Sequence, residues 1–371
     1  MIPFWFIVIT VLWLGFLMLE GFDFGVGILH AAVGGGEAGR RTAINAIGPL
    51  WDGNEVWLVV AVAAMFAAFP AWYATMLSGF YLVVVLLLAA LIVRGVAFEY
   101  RGKRDSARWR LTWDGLMTAG SLIAPFLIGL SLADLLHGVP IGPGQQFTGS
   151  LGRLFSGYAV FTGLTVTAVC VLHGATFLAL KTAGEVRERA GRIARRAGLP
   201  VALAVVALAF WTHAASGHGV LLNPVELLAA LAALAAAWLA GDRREGWAFA
   251  ATTVTMAAIV ATVFVDLYPR VMVSSTSPAF SLTATGTASG HYSLTVLTVV
   301  SVILLPFVLA YQSWSYYVFR RRLRPQAFAG GAAATGSPAT DSAGPRAPSA
   351  RRLDGARRGH RGDSGMRDSG D

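Results

Sequence analysis

The chain has 371 residues, of which 56% are hydrophobic and 13% are charged, and its mean hydropathy is +0.62. This composition excludes a water-soluble globular domain, and recurring runs of about 20 apolar residues predict an all-α polytopic membrane protein. The formal net charge of +9 does not indicate a nucleic-acid partner, because the basic residues lie in loops between the apolar runs.

Nine apolar runs, taken in chain order, are long enough to cross a bilayer. They cover residues 4–30, 54–72, 76–97, 116–136, 157–180, 199–215, 224–240, 247–269 and 293–319. Beyond residue 323 the composition changes to Ala, Gly, Pro, Ser and Arg, which cannot bury a core. The sequence therefore predicts a transmembrane domain over residues 1–323 and a disordered, basic cytoplasmic tail over residues 324–371.

The basic residues predict which way the helices run. Loops that follow odd-numbered runs contain clusters of arginine and lysine, whereas loops that follow even-numbered runs contain only Arg153 and Arg270. Cytoplasmic loops of membrane proteins are enriched in these residues. We therefore expect the amino terminus to lie outside the cell and the carboxyl terminus to lie in the cytoplasm.

Acidic residues occur within or beside the first three runs, where ionisable groups are costly and usually face a protein interior or a water-filled path. Glu20 and Asp23 lie near the inner end of the first run, Asp52 and Glu55 begin the second, and Glu99 follows the third. Their concentration favours a proton path that opens on the cytoplasmic side. The alternative is that Asp52 and Glu55 only stabilise the start of the second helix, because negative charges interact favourably with the positive end of the helix dipole.

Arg94 lies near the end of the third run, in "IVRGVAFEY". It does not share a helix face with Glu99, so we expect it to reach a carboxylate on another helix, with Asp52 or Asp23 as candidates. The alternative is that its long side chain extends to the inner lipid headgroups.

One histidine, His173 in "VCVLHGATF", lies deep in a predicted helix. A haem iron can be held by one histidine or by His and Met. No second histidine is clearly placed opposite His173, so a polar contact between helices is its favoured role. The sequence has no nucleotide-binding loop and no HExxH-type metal motif, and we expect no directly catalytic or metal-binding residue in this chain.

Several segments resemble subunit II of cytochrome bd-type quinol oxidases. They are "LEGFDFGVGIL" (19–29), "NAIGPLWDGNEVWLVVAVAAMFAAFP" (45–70), "RGVAFEYR" (94–101), "WRLTWDGLMTAGSLIAP" (109–125), "LHGATFLALKT" (172–182) and "LTVLTVVSVILLPFVLAYQSWSYYVF" (294–319). The resemblance covers residues 1–320 in order, and the pattern GPxWDGNxVW is highly specific.

This resemblance implies a heterodimer in the bacterial cytoplasmic membrane that oxidises quinol and reduces O2 to water. Subunit I is expected to carry haem b and haem d. Subunit II is expected to have two four-helix bundles plus one peripheral helix, to stabilise subunit I, and to contribute a cytoplasmic proton path without being catalytic alone. Quinone and lipid are further expected partners, with a small single-helix subunit as an additional candidate.

The resemblance also suggests roles for individual residues. Asp52 and Trp57 match an acid and an aromatic residue proposed to line the proton path, and Arg94 and Glu99 match an arginine followed by a carboxylate. Together with the other acids described above, the candidate path residues are Glu20, Asp23, Asp52, Glu55, Trp57 and Glu99, with Arg94 as their charge partner.

Two other functions are compatible with parts of this pattern. A proton-coupled secondary transporter also uses buried acids and glycine-rich helices, but it should have paired broken helices in two repeats. The sequence has no convincing internal repeat. A cytochrome that itself binds haem is disfavoured, because only His173 lies deep in a predicted helix and no second histidine is clearly placed opposite it.

Overall fold

The structure is a computed structural model that describes residues 1–216 and 222–324. This part of the chain contains nine helices that are long and apolar enough to cross a membrane, which confirms the predicted number. They are α1 (Ile2–Gly34), α3 (Trp51–Ala68), α5 (Tyr81–Tyr100), α6 (Ala107–His137), α7 (Gly157–Lys181), α8 (Gly184–Ser216), α9 (Pro224–Gly241), α10 (Glu245–Leu267) and α12 (His291–Val318). The predicted tail at residues 324–371 lies, apart from Arg324, outside the described residues.

Three shorter helices and a small sheet connect the long ones. The helices are α2 (Glu37–Ile47), α4 (Pro70–Gly79) and α11 (Ala284–Thr287). Strand β1 (Arg270–Met272) pairs antiparallel with β2 (Leu282–Thr283). The segment around these strands lies across the ends of α3 and α6, because the N–H of Val139 donates to the carbonyl of Val273 and that of Ser289 to Ala68.

The predicted bounds of the later helices agree with α7, α9, α10 and α12 to within two residues, but α8 is much longer than its apolar run. Residues 184–198 continue this helix before the apolar residues begin. Val186, Ala190 and Ala194 recur every four residues on its buried side, while charged residues cover the other side. An amphipathic helix of this kind is stabilised by one buried face, and a hydropathy window does not detect it.

The second apolar run, predicted at 54–72, is divided in the structure. Pro70 disfavours helical backbone in the residue before it, and Phe69 has φ −136° and ψ 65°. Helix α3 therefore ends before Phe69, and Pro70 occupies the first turn of α4, where its missing N–H is not needed. Helix α5 consequently begins at Tyr81 and not at residue 76.

Helix α1 is the central element, with α2, α3, α6, α7 and α10 packed against it. Its approach to α7 is close because Gly25 faces Gly174, and a Cβ atom at Gly25 would lie 2.8 Å from Gly174 Cα. Glycine at both positions permits this contact. Helix α12 packs on α3, and Leu294 is its one buried residue among those described.

Candidate functional site

A guanidinium and two carboxylates from three helices meet where α1, α3 and α5 pack together. Nη1 of Arg94 lies 2.5 Å from Oε1 of Glu20 and 3.5 Å from Oε2 of Glu55. The guanidinium carbon lies 4.8 Å from the ring centre of Phe24 and 5.2 Å from that of Phe98. The negative faces of these rings stabilise the cation while their bulk keeps water away from it.

The expectation that Arg94 reaches a carboxylate on another helix is confirmed, but the named partners were wrong. Its ion pairs are with Glu20 and Glu55 and not with Asp52 or Asp23. The alternative, a side chain extended to the headgroups, is also wrong because Arg94 is fully buried inside the protein. Helix packing brings the guanidinium against α1, and a charge this deep requires a counter-ion.

Asp23 extends this cluster along α1 and connects it to α12. Asp23 is fully buried, and its Oδ2 accepts a hydrogen bond from Nδ2 of Asn54 at 2.7 Å. Oδ1 of Asn54 in turn accepts from Nε2 of Gln312 at 3.0 Å and from the hydroxyl of Tyr316 at 2.8 Å. We refer to Glu20, Asp23, Glu55 and Arg94 as the Arg94 cluster.

The Arg94 cluster has hydrogen-bonding capacity that the described protein groups do not use. Both carboxyl oxygens of Glu20, Oδ1 of Asp23 and Oε2 of Glu55 are buried without a well-directed hydrogen bond. Buried polar atoms are normally hydrogen-bonded to protein or water. The cluster also contains three carboxyl groups for one guanidinium, so a proton is the natural counter-ion for the remaining negative charge.

The other candidates lie around the edge of this cluster. Asp52 is exposed in the first turn of α3, one turn before Glu55. Trp57 is half-buried and packs over Gly15 of α1. Glu99 is exposed near the end of α5. The structure therefore brings Glu20, Asp23, Glu55 and Arg94 together and leaves Asp52 and Glu99 at the surface.

A second charged group, the Asp114 cluster, joins α1, α2, α5 and α6. It comprises His30, Glu37, Arg40, Arg101 and Asp114. Oδ1 of Asp114 accepts from Nε of Arg101 at 2.5 Å and lies 3.1 Å from Nε2 of His30, while its Oδ2 accepts from Nη1 of Arg40 at 3.0 Å. The Arg101 guanidinium also donates two hydrogen bonds of 2.9 Å to the Glu37 carboxylate.

Ion pairing decides the charge state of Glu37 and Arg101, which both lie outside the long apolar helices. Burial raises the pKa of Glu37, but hydrogen bonds from Arg101 and Arg41 outweigh it and hold that pKa below its ordinary value. Burial lowers the pKa of Arg101, and its bonds to Glu37 and Asp114 more than reverse that effect. Both groups are therefore held in their charged forms.

His173 does not have the geometry of a haem ligand. Its Nδ1 lies 2.7 Å from Oγ1 of Thr252 on α10, and its Nε2 lies 3.1 Å from the carbonyl oxygen of Met18 on α1. Its ring stacks on Phe249, with 4.7 Å between ring centres and 5° between planes. Both ring nitrogens are engaged, so the predicted polar contact between helices is confirmed. Within the described residues, no group of three or more His, Cys, Asp or Glu side chains could hold a metal ion.

Three polar residues of the site, Asn54, Gln312 and Tyr316, are not among the predicted ones, although the sequence contains signals for them. Asn54 stands within "GPLWDGNEVW", between the two acids that were singled out. Gln312 and Tyr316 are four residues apart and therefore share one face of an otherwise apolar helix. Polar side chains on one helix face in a membrane segment indicate a contact with another polar group.

Comparison with known proteins identifies the family. Residues 1–319 match the model of a family described as cytochrome bd terminal oxidase subunit II. The chain is 43% identical over 323 residues to cytochrome bd ubiquinol oxidase subunit 2 of Bacillus subtilis, covering 86% of this chain and 96% of that protein. It is 33% identical over 350 residues to cytochrome bd-I ubiquinol oxidase subunit 2 of Escherichia coli K12, and the match covers 84% of this chain and 92% of that protein.

A solved structure supports the fold. The bd oxidase from Geobacillus thermodenitrificans has a chain that superposes with a TM-score of 0.64 at 18% identity, covering 85% of this chain and 98% of that one. The family match and the two relatives described above confirm the resemblance found in the sequence. This chain belongs to the cytochrome bd terminal oxidase subunit II family, and it is a membrane-spanning subunit of an oxidoreductase complex.

Proposed function

We propose that this chain stabilises a haem-bearing subunit I in the bacterial plasma membrane and takes up protons from the cytoplasm for the reduction of O2 to water. The observation that carries the proposal is the Arg94 cluster, which contains three carboxyl groups but one buried guanidinium, and that guanidinium pairs with Glu20 and Glu55. Reduction of O2 to water consumes one proton for every electron. A subunit that supplies protons from the cytoplasm makes quinol oxidation electrogenic.

The proposed path becomes more buried along its length. It begins at the exposed Asp52 and continues one turn further at Glu55, whose side chain is 22% exposed. Glu20 and Asp23 follow, and both are fully buried. An ionised carboxylate becomes more costly as burial increases from Asp52 to Asp23. The inner carboxyl groups would therefore bind a proton to remain neutral. Trp57 and Glu99 flank this path in the proposal, and Arg94 is its charge partner.

We place haem b and haem d on subunit I. Two histidines of this chain that lie deep in the long helices are committed to other contacts. Both nitrogens of His173 are engaged, and those of His30 lie 2.8 Å from the carbonyl of Gly27 and 3.1 Å from Asp114. The expected role of this chain toward the haems and quinol is therefore to support the partner and to supply protons.

The proposed architecture is two four-helix bundles, α1 with α3, α5 and α6, and α7 with α8, α9 and α10, plus the peripheral α12. Contacts of α1 with α3 and α6 and of α5 with α6 support the first bundle, and those among α7 to α10 support the second. The alternation of basic loops supports an outer amino terminus and a cytoplasmic carboxyl terminus. Quinone, lipid and a small single-helix subunit are the further proposed partners.

The first test concerns the buried acids. The complex would be purified through a tag on this chain, and haem content, quinol-driven O2 consumption and proton uptake would be measured for Glu20→Gln and Asp23→Asn. We expect normal haem content with slower O2 consumption and slower proton uptake. Asp105→Asn is the matched control, because the Asp105 side chain is 97% exposed. Normal turnover in both buried-acid variants would overturn the proposed path.

The second test concerns the mouth of the path. Asp52→Asn should slow O2 reduction in a fully assembled complex, because the exposed acid nearest to Glu55 would no longer deliver protons. If turnover remained normal, Asp52 would be a residue that only stabilises the start of α3. A purified chain without a haem-bearing partner would contradict the oxidase function as a whole.

A further inference from the structure

A cavity of about 510 Å³ opens between the ends of α7, α8, α9 and α10. Its volume lies within the range of roughly 300–1,000 Å³ that is typical of small-molecule sites. None of its lining residues belongs to the Arg94 cluster or the Asp114 cluster. Its charged lining residues are Arg187, Glu188, Arg192, Arg195, Arg243 and Glu245.

The charges around this cavity are not balanced. Nε of Arg187 lies 2.8 Å from Oε1 of Glu245, so these two charges neutralise each other. In the described parts of the chain, Arg192, Arg195 and Arg243 have no carboxylate within 4.0 Å. Three guanidinium groups therefore share one remaining acid in the cavity wall, Glu188. This is the reverse of the Arg94 cluster, where carboxyl groups are in excess.

Helix dipoles do not account for or cancel this positive charge. Helices α8 and α10 begin at the cavity with Gly184 and Glu245, while α7 and α9 end near it with Ala179 and Ala240 in the wall. Two positive helix ends and two negative ones largely offset each other. The excess positive charge therefore comes from the arginine side chains.

The uncharged part of the wall selects against an apolar ligand. Every uncharged lining residue is glycine, alanine or threonine, and no aromatic or branched aliphatic side chain contributes. Gly191 lies within the arginine-bearing face of α8, and a Cβ atom there would approach Nη1 of Arg195 to 3.5 Å. Small residues keep the space open around the guanidinium groups. A quinone ring would find no stacking surface here.

We propose that this cavity binds a phosphate-bearing anion. Guanidinium groups form paired, charge-assisted hydrogen bonds with phosphate oxygens, and basic pockets between membrane helices bind phosphate headgroups. The anion is either the headgroup of an anionic phospholipid or a water-soluble phosphate compound. This inference is independent of the proposed proton path.

The test uses the full chain together with the partner that it retains on purification, placed in phosphatidylcholine nanodiscs. In one arm, inorganic pyrophosphate is titrated by calorimetry. In the other, phosphatidylglycerol is added to the nanodiscs and the retained anionic lipid is counted by native mass spectrometry. Arg192→Gln/Arg195→Gln removes two unpaired cavity arginines. Arg108→Gln/Arg196→Gln is the matched control, because both residues are exposed and neither lines the cavity.

The wild type and the control should bind the anion. The cavity variant should bind it at least about tenfold more weakly, because it loses charge-assisted hydrogen bonds. Glu188→Gln should bind more tightly than the wild type, a gain that misfolding cannot produce. Binding of pyrophosphate would identify a water-soluble ligand, and retention of phosphatidylglycerol alone would identify a lipid. If the cavity variant bound both probes as well as the wild type does, or if the wild type bound neither, the proposal would be overturned.

Discussion

The Arg94 cluster and the Asp114 cluster both involve α1 and the carboxyl-terminal part of α5, yet their charges are balanced in opposite ways. The Arg94 cluster has three carboxyl groups for one guanidinium. The Asp114 cluster has two carboxylates, which receive hydrogen bonds or ion pairs from His30 and from four arginines, Arg40, Arg41, Arg101 and Arg110. Similar residue types thus produce two different electrostatic environments.

The difference also extends to the hydrogen bonds. Both oxygens of Asp114 have close donors or a close histidine nitrogen, and both oxygens of Glu37 accept from Arg101. Such a satisfied network holds α2, α5 and α6 in one arrangement. In the Arg94 cluster, buried carboxyl oxygens of Glu20 and Asp23 remain without a well-directed donor in the described chain. The first arrangement suits a structural role, and the second suits groups that exchange protons.

Removing the guanidinium of the Arg94 cluster should have the largest effect on stability. Arg94→Gln leaves Glu20 buried without its counter-ion, and breaking a fully buried pair costs about 3–5 kcal/mol. The thermal midpoint of the detergent-solubilised complex, followed by tryptophan fluorescence, should fall strongly, and the yield of assembled complex should fall with it.

A second substitution separates this cause from a packing defect. Glu20→Gln in the Arg94→Gln background removes the stranded carboxylate, so the double variant should recover about 1–3 kcal/mol relative to Arg94→Gln alone. If the double variant were less stable than Arg94→Gln, the ion pair would not be the reason for the loss.

The equivalent substitution in the Asp114 cluster should cost less. Asp114→Asn removes the anion that pairs with Arg40 and Arg101, but Arg101 keeps Glu37 and the Arg40 side chain is already 29% exposed. A hydrogen bond to a charged group contributes about 1.5–3 kcal/mol, so we expect a loss of that size. The assembled complex should keep its O2 consumption per haem, whereas Asp105→Asn should change neither quantity. Reduced turnover per haem in Asp114→Asn would mean that both clusters carry protons.

The sequence predicted the number of helices better than their ends. Apolar runs identified all nine long helices in the described chain, because lipid requires a continuous apolar surface. The first half of α8 was missed because only one side of it is buried, against neighbouring helices that a local window does not include. The break at Phe69 was predictable from Pro70 but lay within an apolar run that hydropathy joins together.

For the site, the sequence predicted which groups are present but not which groups meet. The sequence shows a concentration of acids in the first three runs, and the structure brings two of them, Glu20 and Glu55, into contact with Arg94. The choice of Asp52 as a partner for Arg94 failed because helix rotation is set by packing, such as the close approach of α1 to α7, and not by local sequence. Asp52 consequently faces outward, while Asn54 faces the core.

A smaller effect is expected where α12 reaches the Arg94 cluster. Tyr316→Phe removes the hydroxyl that donates to Oδ1 of Asn54, but Gln312 still donates to the same atom. The loss should be about 0.5–1.5 kcal/mol, the net value of one hydrogen bond. Hydrogen exchange should increase in α12 around residue 316. Tyr311→Phe is the matched control, since Tyr311 is exposed on the same helix. Equal exchange in both variants would show that the Tyr316 hydroxyl does not hold α12.

The smallest effect concerns Glu37, and its pH dependence distinguishes ion pairing from packing. The Glu37 side chain is 38% exposed, so solvent screening limits its contribution to below about 1 kcal/mol. Because pairing with Arg101 lowers its pKa in the folded state, its stabilisation is complete above the unfolded-state pKa of about 4.3. That stabilisation is lost as the pH falls through the lower, folded-state pKa.

The thermal midpoints of the wild type and Glu37→Gln should therefore differ by a constant amount from pH 7 down to about pH 5 and converge at lower pH. High salt should reduce the difference at neutral pH, because a partly exposed pair is screened. A difference that widened as the pH fell would contradict ion pairing at Glu37. It would also remove the contrast between the two clusters, because the Asp114 cluster would then no longer be a network held in its charged form.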